Sequence, residues 1–382
     1  MTQDARTSLQ VRKGVCYALY AYDVGMSIDL DKCKNVIKSG QLKASIQPHR
    51  RAPKYFDYRP APLLVTQSIA PCRVNNFQTT GEVDLLLYDF GGISVSYEFP
   101  MAGSFDELRS ISCDLNESSA LLDDSRRRVE ELIKVVGDAI DRAQVADLVE
   151  DYTLFQIEDY SAAWSPDEFH VKCAQELAQV LRAERGILSD QEIADAMACR
   201  ISFSTDDVTM IDWNAALIFD RDADDVRAVL EFANMELLEM RCLDRQLDDA
   251  LDQSYEMVPK HTLIRNLLPG TSGTVIRRIS QMQVDGAILF ERVSNAPKLL
   301  GDQYLARVYR LAAQRFHLNE WNGSILRKLD AMESIYKQMH ERAASWRLEV
   351  LEWIIILLIL FEIIMAFLPK SWFPAGASQG PP

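Results

Sequence analysis

The sequence lacks most of the short patterns that identify a chemistry. No C-x-x-C occurs, and the seven cysteines (Cys16, Cys33, Cys72, Cys113, Cys173, Cys199 and Cys242) are odd in number and widely spread. That spacing argues against a zinc cluster or a disulfide framework and predicts reduced cysteines acting as small hydrophobic residues. No G-x-G-x-x-G, G-x-S-x-G or H-E-x-x-H is present. Gly270-Thr271-Ser272-Gly273 is not followed by Gly-Lys-Ser/Thr, so it is not a P-loop. Asp89-Phe90-Gly91 repeats three letters of a kinase signature without its other parts, and reads as a hairpin turn. Histidine is scarce, with five in the chain. His317 and Glu320 form an i,i+3 pair, but no second pair exists to build a di-iron bundle. Positive charge is also short: 41 Lys and Arg face 56 Asp and Glu, a net charge of −15, which excludes a general DNA coater. Met1 to Lys13 is polar and has no apolar core, so no secretory signal peptide is expected there. Together with the cysteines this predicts a reducing compartment.

What is present averages to an ordinary globular mixture, 48% hydrophobic and 25% charged. Wholesale disorder and a multi-pass membrane protein are thereby excluded. The length of 382 residues allows one large or two ordinary domains. One stretch departs from the average. Val350 to Leu368 reads VLEWIIILLILFEIIMAFL, 19 residues closed by Pro369. At ~1.5 Å per residue it is about 28 Å long as a helix, close to the hydrocarbon core of a bilayer. We therefore expect a transmembrane helix over 350–368, with Trp353, Ile354, Ile355, Ile356, Leu357, Leu358 and Glu362 as its marking residues. Glu352 lies near an edge, whereas Glu362 lies deeper and requires a proton, a partner or a protein-facing position. Lys337, Arg342 and Arg347 before the span, against Lys370 after it, place the N-terminal side in the cytoplasm by the positive-inside rule.

Before the span, strands and helices mix. Strands are expected at Val15–Tyr22, Leu63–Ile69, Glu82–Tyr88, Ile93–Phe99, Asp151–Ile157, Val208–Trp213 and Ala215–Phe219. Helices are expected at Ser27–Lys38, Ser104–Cys113, Ser118–Ile140, Pro166–Ala183 and Asp190–Ala198. After Asp220 the texture changes to long helices. Val226, Leu230, Ala233, Leu237, Met240, Leu247, Leu251 and Tyr255 keep a mostly three/four spacing, which Asp244 breaks. Pro259 closes that helix, 269–273 is a turn, and another helix is expected over Thr274–Val293. From Ile325 a heptad runs through Leu329, Met332, Tyr336, Met339, Ala343, Trp346 and Val350, then through Trp353, Leu357, Leu360, Ile364 and Phe367. Such a seam packs on its own domain or on a second copy of the chain. The expected fold class is α+β: a mixed body at 1–220, a long-helix, coiled-coil-like stalk at 221–349, one transmembrane helix at 350–368 and a short tail at 369–382.

Charge is unevenly placed. Lys32, Lys34, Lys38, Lys43, Arg50, Arg51, Lys54 and Arg59 lie in 28 residues whose single acid is Asp57, with Tyr55, Phe56 and Tyr58 among them. Basic residues with interleaved aromatics suit an anionic partner such as RNA, a ribosome or an anionic lipid surface. The stretch Asp206–Asp252 holds 14 acids and 4 bases. Its default reading is a solvated helical face. Asp206, Asp207, Asp212 and Asp220 are the acids able to ligate Mg²⁺ or Ca²⁺, but they are also what turns between strands look like, and no metal or other cofactor is expected.

The C-terminal stretch carries a further pattern. Leu300-Gly301-Asp302-Gln303-Tyr304, Arg315-Phe316-His317-Leu318, Lys328-Leu329, Ile335-Tyr336 and Leu351-Glu352-Trp353-Ile354-Ile355-Ile356-Leu357-Leu358-Ile359 resemble the YagE / "required for meiotic nuclear division" family, whose members carry a domain of unknown function. Phe155-Gln156-Ile157 and Ile211-Asp212-Trp213 resemble it too, and the likeness covers roughly residues 150–368. The resemblance implies a single-pass membrane protein of undefined biochemical activity. Its mitochondrial relatives sit in the inner membrane and support translation by tethering ribosomes. It supplies no catalytic residue. Met1–Lys13 holds Arg6, Arg12 and Lys13 with Asp4 among them, unlike a mitochondrial presequence. The expected location is therefore a bacterial cytoplasmic membrane, with the mitochondrial inner membrane as the alternative. The expected function is a non-enzymatic, tail-anchored scaffold that links an anionic partner to the membrane. The alternative is a membrane-tethered, metal-dependent phosphoesterase or nuclease using Asp206–Asp220.

Overall fold

A computed structural model describes residues 9–38, 44–46, 60–162, 164–257, 284, 286–288, 290–291 and 302–367. The chain forms two units, Met1–Asp249 with Val284–Lys328, and Ala250–Gln283 with Leu329–Pro382.

The described strands are β1 (Gln10–Asp23), β2 (Ser27–Ile28), β3 (Ala44–Ile46), β4 (Leu63–Ser68), β5 (Arg73–Val74), β6 (Phe77–Gln78), β7 (Glu82–Leu87), β8 (Gly92–Ser104), β9 (Ile140–Asp141), β10 (Val149–Ser161), β11 (Arg200–Ile201), β12 (Val208–Ile211) and β13 (Ala215–Phe219). Nine of them make one sheet in the order β11-β12-β13-β10-β1-β8-β7-β4-β3. Every pairing in it is antiparallel except β10 with β13. The other four form the ribbons β2-β9 and β5-β6. The described helices are α1 (Leu30–Val36), α2 (Phe105–Glu117), α3 (Ala120–Val136), α4 (Phe169–Lys172), α5 (Ala174–Leu181), α6 (Asp190–Ala196), α7 (Asp224–Met257), α8 (Gln303–Arg315) and α9 (Leu318–Phe367).

The central strand β1 explains the layering. Its run of apolar residues does not alternate with polar ones, which is the pattern of a strand covered on both faces. Cys16, Ala18, Tyr20 and Tyr22 point into the main core, while Tyr17, Leu19 and Ala21 are buried on the opposite face. The main-core face carries α2, α3, α5 and α6, contributing Leu108, Ile111, Val129, Leu132, Leu177 and Ala196. The opposite face carries the first part of α7, where Phe232 meets Tyr88 and Phe90 edge-on. There the Arg227 guanidinium also lies 4.0 Å from the centre of the Tyr17 ring.

Local signals set the ends of the elements. Asp29 caps α1 by accepting from the Lys32 N–H at 2.9 Å. Ser104 and Glu107 form a capping box on α2. The Asp89–Gly92 segment is the β7–β8 turn, with Gly91 at φ +108°. A Cβ there would stand 1.8 Å from the Gly25 carbonyl oxygen, so the close approach requires glycine. Asp244, which breaks the apolar spacing of α7, meets Lys328 Nζ at 2.7 Å and accepts from Ser324 Oγ at 3.0 Å. The turn expected at 269–273 and the end expected at Pro259 lie outside the described residues, as does most of the helix expected over 274–293.

The membrane-span expectation is corrected by α9. Among the described residues no helix is long and apolar enough to cross a membrane. The apolar part of α9 is interrupted by the acids Glu352 and Glu362. The transmembrane part of the expected fold class therefore does not hold. With it go the anchor role given to Trp353, Ile354, Ile355, Ile356, Leu357, Leu358 and Glu362, the membrane as a partner, and the orientation and membrane location built on it. Glu362 is exposed. The heptad seam also lies on α9. Ile325 and Met332 are fully buried, but Trp353, Leu357, Leu360 and Ile364 are about half exposed or more. The seam is thus covered at its start and uncovered along its described end.

Candidate functional site

The most unusual chemistry lies where α7 crosses the sheet. The acidic run of this helix was expected to be a solvated face. Instead Glu236 and Glu239 are buried, at 2% and 1% exposure, and Glu231 is partly buried. These acids fall between the apolar positions Leu230, Ala233, Leu237 and Met240, and the helix is enclosed on more than one side. Burying a carboxyl without a counter-charge is expensive, and the group responds by keeping its proton.

Each acid meets a different environment. Tyr309 of α8 donates its hydroxyl to Glu236 Oε2 at 2.5 Å, and burial pushes the Glu236 carboxyl up to about 8. Ser94 of β8 donates to Glu231 Oε1 at 2.5 Å, and burial again raises the carboxyl. Glu239 has no hydrogen-bond partner at either oxygen. Burial, and secondarily the Asp23 carboxylate, hold it well above the ordinary range. Asp23 closes the end of β1. Its carboxyl accepts from the Gly25 N–H at 3.1 Å and from the Cys242 thiol, yet burial lifts it to about 6. The Cys242 thiol is itself raised by burial and by Asp23, so it is a poor thiolate. Glu150 of β10 is lifted to about 7 by burial while Arg241 of α7, paired with it, pulls the other way. Burial is the leading cause of the upward shift in every one of these carboxyls. Among the described residues no group of three His, Cys, Asp or Glu can hold a metal ion.

A second cluster is fully ion-paired. Asp212, at 0% exposure, accepts from Arg182 Nε at 3.0 Å, from Arg315 Nε at 2.6 Å and from the Trp213 N–H at 2.9 Å. Asp195 reaches the same two arginines at 2.6 and 2.7 Å, and its hydrogen bond to Arg315 leads in drawing its carboxyl down to about 2. Two guanidinium groups thus tie the β12–β13 turn, α6 and α8 together.

The residues singled out from the sequence fall elsewhere. Asp207 accepts from the Phe203 and Ser204 N–H groups at 2.9 and 2.5 Å, and Asp220 from the Asp222 N–H at 3.0 Å. Asp206 meets the Thr205 hydroxyl at 3.4 Å. With Asp212 held by arginines, the four acids do not converge on one point. Of the basic segment, Lys32, Lys34 and Lys38 are exposed, and Lys32 Nζ donates to the Asp138 carbonyl. Lys43, Arg50, Arg51, Lys54 and Arg59 lie outside the described residues. His317 Nδ1 stands 3.4 Å from Glu320 Oε1 on the surface. The buried acids went unrecognised in the sequence. Their signal was Asn234-Met-Glu-Leu-Leu-Glu-Met240, in which Glu236 and Glu239 are embedded among apolar neighbours.

Comparison with known proteins bears on the first three fifths or so of the chain. The family model described as "Uncharacterized protein MJ0711, N-terminal domain" matches residues 13–225, from β1 to the first turn of α7. "Uncharacterized protein MJ0711" of Methanocaldococcus jannaschii is 26% identical over 220 residues. The match covers 57% of this chain and 66% of that protein, just under two thirds of its length. No solved structure matches. The expected YagE / "required for meiotic nuclear division" membership is overturned by this match, because it lies on the sheet-forming body and not on the apolar C-terminal pattern that suggested YagE. The archaeal relative likewise gives no support to a bacterial or mitochondrial membrane location. The chain belongs to the family described as "Uncharacterized protein MJ0711, N-terminal domain".

Proposed function

We propose that the protein is a non-catalytic scaffold whose last described helix is covered by a partner protein. The observation that carries this reading is the state of α9 between Leu351 and Ile364. Large apolar side chains there, from Trp353 at 65% to Leu360 at 49% exposure, face solvent on successive positions and so on every side of the helix. A helix apolar all round is a buried helix in its working state, and an exposed apolar surface of this kind marks an interaction site. The enzyme alternative finds less support, since Asp206, Asp207, Asp212 and Asp220 are each engaged by their own loop or by arginine.

The test is site-specific photocrosslinking from position 357 of the full chain in its native cell. The expected outcome is one discrete protein adduct that disappears when Ile355 and Leu358 are both changed to Ser. An absence of adduct at positions 354, 357 and 361 alike would overturn the reading.

A further inference from the structure

A small cavity of about 10 Å³ lies between β1, β10 and the C-terminal turn of α2. The register of the two strands builds its floor. Tyr20 stands opposite Asp151, and Ala18 opposite Thr153. Opposed residues of an antiparallel pair share a face, and Ala18 and Tyr20 belong to the main-core face. Ser112 and Asn116, one turn apart on α2, line the cavity from the helix side. Asn214 of the β12–β13 turn lines it too, and its carbonyl accepts from the Thr153 N–H at 3.0 Å.

The lining is rich in oxygen and carries one charge. Asp151 is its carboxylate, and no Lys, Arg or His takes part. Among the described residues, the side chains of Tyr20, Asn116, Asp151, Thr153 and Asn214 form no hydrogen bond or ion pair. Their oxygens are therefore available to a ligand. Burial first, and the Asp151 charge second, push the Tyr20 hydroxyl up, so it stays neutral and offers its lone pairs. The last turn of α2 holds no basic residue, and the negative end of a helix attracts cations. Arg185 is taken by Asp114 and Glu117 of the same helix.

Size and charge narrow the ligand. A space of this volume takes one water-sized particle. An anion would meet Asp151. Oxygen donors select hard cations, and divalent ions usually draw on more than one carboxylate. A single carboxylate among neutral oxygens balances a single positive charge.

We propose that this cavity binds one monovalent cation, potassium or sodium. The Asp151 carboxylate supplies the charge. The Tyr20 and Thr153 hydroxyls and the amide oxygens of Asn116 and Asn214 supply neutral donors. The ion joins the end of α2 to the β1–β10 pair and the β12–β13 turn.

The test is the melting midpoint of the full chain in potassium, sodium and tetramethylammonium chloride at equal ionic strength. Tetramethylammonium is too large for the cavity. Potassium or sodium at ~0.1 M is expected to raise the midpoint by about 2 °C over tetramethylammonium, and the rise to saturate with concentration. Asp151→Asn and Thr153→Val should each reduce or abolish that rise. Asp151 is exposed and makes no protein contact, so the Asp151→Asn midpoint in tetramethylammonium should match the parent. Equal midpoints in all three salts, the result expected if the cavity holds a water, would overturn the proposal. So would a rise that Asp151→Asn retains in full.

Discussion

Tyr309 on α8 donates its hydroxyl to the buried carboxyl of Glu236 on α7 at 2.5 Å, joining two helices 73 residues apart in the chain. Tyr309→Phe removes that donor and leaves Glu236 without a replacement in an enclosed site. The expected loss is about 1–3 kcal/mol of unfolding free energy. Urea denaturation should show it as a lower midpoint with an unchanged slope, and an unshifted midpoint would show that the bond contributes nothing.

Glu239 predicts the opposite sign. Both of its oxygens lack partners and it is 1% exposed. Glu239→Leu fills a similar volume without the desolvation penalty, so stability should rise by about 1–3 kcal/mol. A lower thermal midpoint for this variant would mean that Glu239 is satisfied in solution by a bound group.

The same acids set a pH dependence. The folded carboxyl of Glu236 is raised to about 8, and Asp23 and Glu150 to about 6 and about 7. The folded state then binds more protons than the unfolded chain between the ordinary acid range and these values. Their stabilising contribution is complete below about pH 4 and is lost as pH rises through 6 to 8. Unfolding free energy measured in that interval should fall with pH, and Glu236→Gln should flatten the upper part of the fall. A stability that rises across pH 6 to 8 would contradict the burial of these groups.

Asp212 should behave as a structural pin. Asp212→Ala removes the buried charge shared by Arg182 and Arg315. The expected cost is about 3–5 kcal/mol, because one partner of a buried charge network is lost and the others remain. Chemical denaturation measures it, with Arg315→Met in the Asp212→Ala background expected to recover part of the loss.

Gly91 tests the β7–β8 turn. Gly91→Ala places a methyl group against the Gly25 carbonyl at a left-handed φ. The cost is expected at about 1–3 kcal/mol from the backbone alone, more if the Gly25 segment cannot move. Equal stability of the variant and the parent would show that this turn rearranges freely.

Much of the body was legible in the sequence. The Asp89–Gly92 turn, the strands at Val15, Glu82, Ile93, Val208 and Ala215 and the long helix after Asp220 all rest on local chemistry: turn propensity and periodicity. The errors came from quantities that local patterns do not contain. Glu236 and Glu239 look like any acids on a helix until a second helix and a sheet close over them. The run after Val350 has the composition of a membrane span, yet among the described residues no helix is long and apolar enough to cross a membrane.

The sequence alone determined the mixed strand and helix body, its free cysteines and its absence of known catalytic motifs, because each follows from residue type and near-neighbour spacing. Tertiary structure decided which charges are silent and which are exposed to chemistry. Arg200 and Arg315 are the same residue type, yet one faces an open groove and the other is enclosed by two aspartates. That difference arises from contacts between segments far apart in the chain, where burial and paired charge set the energy of a group more than its identity does.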